Sequence, residues 1–229
     1  MLRSKKEIRT FVSLLCHTHF KCAQANSHPI PITSYFLLLT LYPLPLHTLM
    51  NIIKTEIEGV LIIEPKIFID NRGYFLESFS QQDFFNHVDD TRFVQDNESQ
   101  SMYGVLRGLH FQRNPYAQAK LVRVIKGVIL DVAVDIRKNS PTFGKYVSTE
   151  LSEENKLQMY IPQGFAHGFV VLANDTIVQY KCDNYYHPEA EGSVRWNDPT
   201  LNIDWKIPHA DIILSEKDKK SPLLGESNY

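Results

Sequence analysis

Past residue 49 the chain has one cysteine, Cys182. A lone cysteine cannot form an internal disulfide, so the core must stabilise the body unaided, and a reducing compartment such as the cytoplasm is expected. The 229 residues carry a net charge of only −2. No broad basic surface is available for a nucleic-acid backbone. An anionic ligand must therefore be met by a few local arginines and lysines. No apolar run is long and unbroken enough for a membrane span: in "SYFLLLTLYPLPLHTLM", Pro43 and Pro45 interrupt the stretch. There is no alternation of strand and helix of the βαβ kind, and no internal repeat.

Glycine and aspartate are absent from residues 1–49, which hold four of the nine histidines and four of the twelve prolines. This segment carries five Lys/Arg against one Glu, leaving 19 against 25 for the rest. Lys5 and Lys6 before "FVSLL", with "AQA" at residues 23–25, loosely resemble a signal peptide, but His17, His19 and Lys21 spoil the apolar stretch. Strand-like sequence starts at once after Met50 with "NIIKTEIEGVLIIEP". The expectation is a single domain over residues 50–229, preceded by an N-terminal extension that is disordered or non-native. Intact-mass spectrometry of the native protein tests this; an N-terminus at Met1 contradicts it.

Strands dominate the body. Across residues 128–137, Val128, Leu130, Val132, Val134 and Ile136 share one parity, while Asp131, Ala133, Asp135 and Arg137 fall on the other. That period of two predicts a strand with one buried face. Lys126 and Gly127 mark a turn to the strand before. "GKYVSTELS", "QMYIPQGFAHGFVVL" and "DTIVQYKCDNYY" give further short strands. "SQQDFFNHV" predicts a short helix capped by Ser80, and "ILSEKDKKSPLLGESNY" a helix or loop lying on the surface. Many short strands with regular turns read as an all-β antiparallel sandwich or jelly roll with a few short peripheral helices.

Four stretches carry candidate chemistry, each with a bland alternative. In "RGLHFQ", His110 lies between Leu109 and Phe111, where a histidine is ordinarily a satisfied core residue. On an ideal strand it shares a face with Leu106 and Gly108, and Arg107 points away; a bulge at Gly108 brings Arg107 and His110 to one face. Lys120 interrupts an apolar strand and reads equally as a solvated strand end. Tyr180 shares parity with Val178 and Cys182, as a core tyrosine would. "YIPQGFAHGF" sets Pro162, Gly164 and His167 in the P-x-G-x-x-H pattern of cupins, whose metal-binding members add an H-x-H pair and a glutamate. No H-x-H pair stands in "RGLHFQRN", so a metal at His167 lacks its partner ligands.

The order of these motifs is more specific than any one of them. "DNRGYFLESF", "QDNESQS…GVLRGLHFQ", "QAKLVRVIKGVILDVAVDIR", "SPTFGKY", "IPQGFAHGF" and "LSEKD" together resemble the dTDP-4-dehydrorhamnose 3,5-epimerases over about residues 50–222. The resemblance implies a cupin-type jelly roll, a homodimer and a dTDP-sugar substrate, with no metal, redox cofactor, nucleic acid or membrane partner. It implies inversion at carbons 3 and 5 of dTDP-4-dehydro-6-deoxy-D-glucose, both flanking the C4 ketone, in the making of dTDP-L-rhamnose for surface polysaccharide. By position in the motifs, His110 matches the base, Asp218 its carboxylate partner, Tyr180 the acid on the opposite face and Lys120 the lysine facing the enolate oxygen. Arg72 and Arg107 match residues that meet the diphosphate. Glu77, Gln95 and Asn97 match the thymidine end, and Tyr186 the stacking residue on thymine. His167, Glu191 and Lys217 match further positions around the sugar and nucleotide. In this family the first strands are shared across the dimer, so Arg72 and Glu77 are expected to serve the neighbouring subunit.

Alternatives in the same ligand class are a 3-epimerase and a 3,4-ketoisomerase, which proton exchange in deuterium oxide separates by counting exchanged carbons. A metal-dependent cupin oxygenase and a non-catalytic sugar-nucleotide binding module are the other classes. Metal analysis and the His110→Ala variant discriminate these two.

Overall fold

A computed structural model describes residues 50–229. The expected extension over residues 1–49, with its candidate signal peptide, lies outside the described residues. Among the described residues, thirteen strands form two facing antiparallel sheets and one hairpin. The first sheet orders β1 (Met50–Lys54), β2 (Leu61–Pro65), β10 (Gln158–Ile161), β7 (Lys120–Lys126), β12 (Thr176–Cys182) and β5 (Gln95–Ser101). The second orders β13 (Glu191–Ser193), β6 (Leu106–Gln112), β11 (Phe165–Val171), β8 (Val128–Asp135) and β9 (Tyr146–Ser152). β3 (Ile67–Asp70) and β4 (Gly73–Leu76) make the separate hairpin.

The space between the sheets is filled by Val122, Val124 and Val178 from one sheet and Ile129, Ala133 and Phe169 from the other. The outer face of the first sheet is covered by α1 (Gln81–His87), whose Phe84 stacks edge-on against Phe93 and Tyr160 with ring centroids 5.2 and 5.1 Å away. Ser80 caps this helix as expected, its Oγ accepting from the Asp83 N–H at 3.2 Å.

Two expectations need correction. β8 is buried on both faces, not one. Its apolar side, Leu130, Val132 and Val134, packs outward against Leu201, Ile203, Trp205 and Leu224. The C-terminal segment therefore roofs the second sheet instead of lying loosely on the surface, because those apolar side chains have a complementary face to bury. The other parity, with Asp131 and Asp135, faces inward, and both carboxylates are fully buried. The Lys126-Gly127 turn joins β8 to the strand before it as expected, and it carries the chain from β7 in one sheet to β8 in the other. Gly127 has φ +82, and a Cβ there would stand 2.2 Å from Thr176 Oγ1, so the corner requires glycine.

Candidate active site

Toward one end of the sandwich the interior turns polar. β6 supplies His110, and the backbone explains how it faces inward between two apolar neighbours. His167 pairs with His110 across β11 and β6, but Phe169 pairs with Arg107, so Gly168 alone stands opposite Gly108 and Leu109. This is a bulge at Gly108, where φ is +126 and a Cβ would meet Gly168 Cα at 2.5 Å. The extra residue shifts the parity. Leu106, Leu109 and Phe111 all face the outer core, while Arg107 and His110 line the same cavity. The ideal-strand pairing of His110 with Leu106 is thus replaced by the bulged one.

The cavity is double. One lobe, of about 450 Å³, is bordered by Arg107, His167, Ser215 and Asp218. The other, of about 280 Å³, is bordered by Gln95, Asn97, Tyr186 and Glu191. His110, Lys120 and Tyr180 line both. Together the lobes have the size of a small-molecule site.

His110 Nε2–H donates to Asp218 Oδ1 at 2.6 Å; the carboxylate can only accept, which fixes the tautomer. Asp218 is almost wholly buried in a 3₁₀ turn. Ser215 positions it, its hydroxyl donating to Oδ2 at 2.7 Å and its Oγ accepting from the Asp218 N–H at 3.1 Å. Burial alone would raise the carboxyl, but the hydrogen bonds from His110 and Ser215 outweigh it and hold it below the ordinary range. Opposite, from the first sheet, burial pushes the Tyr180 hydroxyl up, so it keeps its proton at neutral pH. Lys120 Nζ lies 5.9 Å from the Tyr180 ring centroid. Burial pushes its ammonium down, while the charges of Asp131 and Glu191 pull it back up.

His167 is only 6% exposed. Its Nε2–H donates to Asp131 Oδ1 at 2.7 Å, and its Nδ1 faces Lys120 Nζ at 3.5 Å. Burial pushes this imidazole below its ordinary range, so it is neutral. At the rim, Glu191 Oε1 pairs with Lys217 Nζ at 2.5 Å and its Oε2 accepts from the Tyr186 hydroxyl at 2.9 Å. Arg107 is steadied by Ser101, whose Oγ accepts from Nε and Nη2 at 3.2 and 3.1 Å. Gln95 donates to Asn97, and Asn97 to Cys182 Sγ, along the wall of the smaller lobe.

Of the thirteen residues singled out in the sequence, eleven gather here. Arg72 and Glu77 do not. Arg72 sits at the tip of the β3–β4 hairpin, its side chain 86% exposed and paired with Asp70. Glu77 borders a separate small recess beside Phe84 and Met50. Sequence reasoning passed over Asp131, Ser215 and Cys182. An aspartate amid "VILDVAVDI" was the available signal for the first, and Cys182 shares parity with Tyr180. Ser215, within "LSEKD", had none of its own. Among the described residues no three His, Cys, Asp or Glu side chains come together as a metal site. His110 and His167 face each other across two strands, but each is bonded to its own aspartate.

The family model for dTDP-4-dehydrorhamnose 3,5-epimerase matches residues 54–226. The chain belongs to this family. The epimerase of that name from Escherichia coli (strain K12) is 54% identical over 179 residues, 77% of this chain and 96% of the relative. The crystal structure of the Elizabethkingia anophelis NUHP1 enzyme superposes with a TM-score of 0.76 at 55% identity, covering 79% of this chain and all of that one. A dTDP-6-deoxy-D-glucose-3,5-epimerase from Legionella pneumophila Philadelphia 1, in complex with dTDP-4-keto-L-rhamnose, gives 0.75 at 52% identity, covering 77% and 94%. These epimerases share the all-β fold described above, and the cupin-type jelly roll expected from the sequence is the architecture found. Among the described residues no helix is long and apolar enough to cross a membrane.

Proposed function

We infer that this protein inverts carbons 3 and 5 of dTDP-4-dehydro-6-deoxy-D-glucose, giving dTDP-4-dehydro-L-rhamnose. The observation that carries this reading is His110, paired with Asp218, on one sheet and Tyr180 on the other, bordering one cavity together with Lys120. A proton beside a ketone is acidic because the electron pair it leaves delocalises onto the carbonyl oxygen. His110, held by Asp218, takes that proton through its free Nδ1, and the carboxylate stabilises the resulting imidazolium. The C4 oxygen gains the charge and receives a hydrogen bond from the Lys120 ammonium. Tyr180 then returns a proton to the same carbon from the opposite face, inverting it; Tyr180 regains its own from solvent and His110 releases the proton it took to solvent. The second carbon repeats the sequence. The reaction is redox-neutral, so no step needs an electron acceptor.

Arg107 meets the diphosphate with its planar fork. Tyr186, Gln95 and Asn97 take the thymidine end, while Glu191 and Lys217 close the rim. His167 backs the sugar subsite. Arg72 and Glu77 serve the same ligand from a second copy of the chain. The support for that homodimer is the β3–β4 hairpin, which carries Arg72 among exposed apolar side chains, Ile69 at 80% and Phe75 at 66%. Apolar groups so presented favour a partner. Sedimentation velocity should give a dimer that Ile69→Asp converts to monomer; a monomeric wild type would refute it. With its one buried, unpaired cysteine the body suits the cytoplasm.

Proton NMR in deuterium oxide tests the activity. Solvent deuterium is expected at both C3 and C5 of the 4-keto sugar nucleotide, with the L-rhamno configuration in the product. Exchange at a single carbon, or at none, contradicts the reading.

A further inference from the structure

Behind the His110–Asp218 pair lies a second histidine–aspartate pair that the proposed reaction does not use. Asp131 is fully buried, and β8 aims it inward from the middle of an apolar strand. A buried carboxylate without a bonded partner is strongly unfavourable. Its Oδ1 accepts from His167 at 2.7 Å, and its Oδ2 has no hydrogen-bond partner.

We propose that Asp131 is a positioning residue which, through His167, fixes where the Lys120 ammonium stands between His110 and Tyr180. Because the carboxylate only accepts, His167 must carry its proton on Nε2. Its Nδ1 then presents a lone pair to Lys120 Nζ, 3.5 Å away, and leaves the other ammonium protons free for the ketone oxygen. The chain Asp131–His167–Lys120 thus runs from β8 through β11 to β7, tying one sheet to the other at the reacting carbon. It also supplies charge. Lys120 is faced by Tyr180 and Cys182 from β12, His110 and Arg107 from β6, His167 from β11 and Glu191 from β13, with Asp218 behind His110. Burial disfavours the ammonium, and Glu191 is already taken up by Lys217 and Tyr186. Asp131 is the buried anion left to balance it.

The inference rests on the proposed function, and the test separates the two. Asp131→Asn keeps an oxygen that accepts from His167 but removes the charge. The expected result is a KM within about threefold of wild type and a kcat lower by roughly 10- to 100-fold, the range for partners that orient metal-bound histidines. The alkaline limb of kcat should also move to lower pH, as Lys120 loses its proton more readily, and Asp131→Glu should recover part of the rate. A variant with wild-type kcat and an unmoved limb overturns the proposal. Should the variant fail to fold, histidine ¹⁵N NMR of the wild type decides the placement. The Nε2–H tautomer is expected for His167, and an Nδ1–H tautomer overturns the proposal. A wild type that exchanges neither C3 nor C5 would overturn the proposed function instead, while the tautomer still tests the placement.

Discussion

Replacing Asp218 by asparagine removes one unit of charge from the best-defined contact in the site and changes almost no volume. In the wild type the carboxylate holds the His110 proton on Nε2, at 2.6 Å, and in the proposed reaction it faces an imidazolium once His110 has taken a proton from the sugar. With the charge centres about 4 Å apart, an effective dielectric near 20 makes that attraction worth about 4 kcal/mol. The His110 side chain is 28% exposed and that of Asp218 is 5% exposed, so water screens part of it. A loss of about 3 kcal/mol, or about 150-fold in rate, is the expected scale. The effect should fall on kcat, because the imidazolium exists only after proton transfer, and KM should change little. The assay is deuterium incorporation at C3 and C5 under saturating substrate. Asp218→Asn with kcat within threefold of wild type would show that the carboxylate does not stabilise the imidazolium.

His110→Ala should abolish turnover and leave ligand affinity largely intact by calorimetry; full activity would refute the base assignment. Tyr180→Phe should still wash deuterium into the substrate, because His110 can lift a proton and return one to the same face, but no inverted product should form; inversion at the wild-type rate would exclude Tyr180 as the acid. Asp135 accepts two hydrogen bonds from the Arg137 guanidinium and one each from Ser140 and Thr142. Burial alone would raise this carboxyl, but those bonds hold it far below its ordinary 3.8. Asp135→Asn should therefore cost about 2–4 kcal/mol by denaturant unfolding at neutral pH. A carboxyl lowered on folding stabilises above its ordinary value and loses that stabilisation as pH falls through its folded value. The gap between wild type and variant should thus narrow below about pH 4; a gap independent of pH would refute the cause.

The sequence made some of this legible and hid the rest for physical reasons. Alternation marked β8, but period two cannot say which parity meets which partner, and a strand buried on both faces carries its functional side chain on the less apolar parity. The alternation alone therefore puts Asp131 and Asp135 outward, whereas they point in. β5 escaped notice because "QDNESQS" has no apolar member. Yet Gln95, Asn97, Ser99 and Ser101 alternate inward along it, as a strand facing a polar cavity must. Arg72 is the reverse case: its motif was plain, but one copy of the chain does not bring it near the cavity.

The deeper reason for the arrangement lies in the register of β6 and β11. They set His110 and His167 directly opposite each other. Two imidazoles on paired positions would make a good start for a metal site if a carboxylate or a third histidine pointed at the same centre. Here the two aspartates approach from opposite directions, Asp218 from the C-terminal turn and Asp131 from β8, and each takes the Nε2 proton of one ring. Each Nε2–H is thereby committed to a carboxylate, which leaves Nδ1 as the one acceptor nitrogen of each ring. What differs is the surroundings. His110 is part-exposed to the cavity with Nδ1 unencumbered, whereas His167 is buried with Nδ1 against Lys120. The same pair of residue types thus leaves an open acceptor nitrogen at the cavity, as the proposed base requires, and a fixed acceptor where the ring is buried.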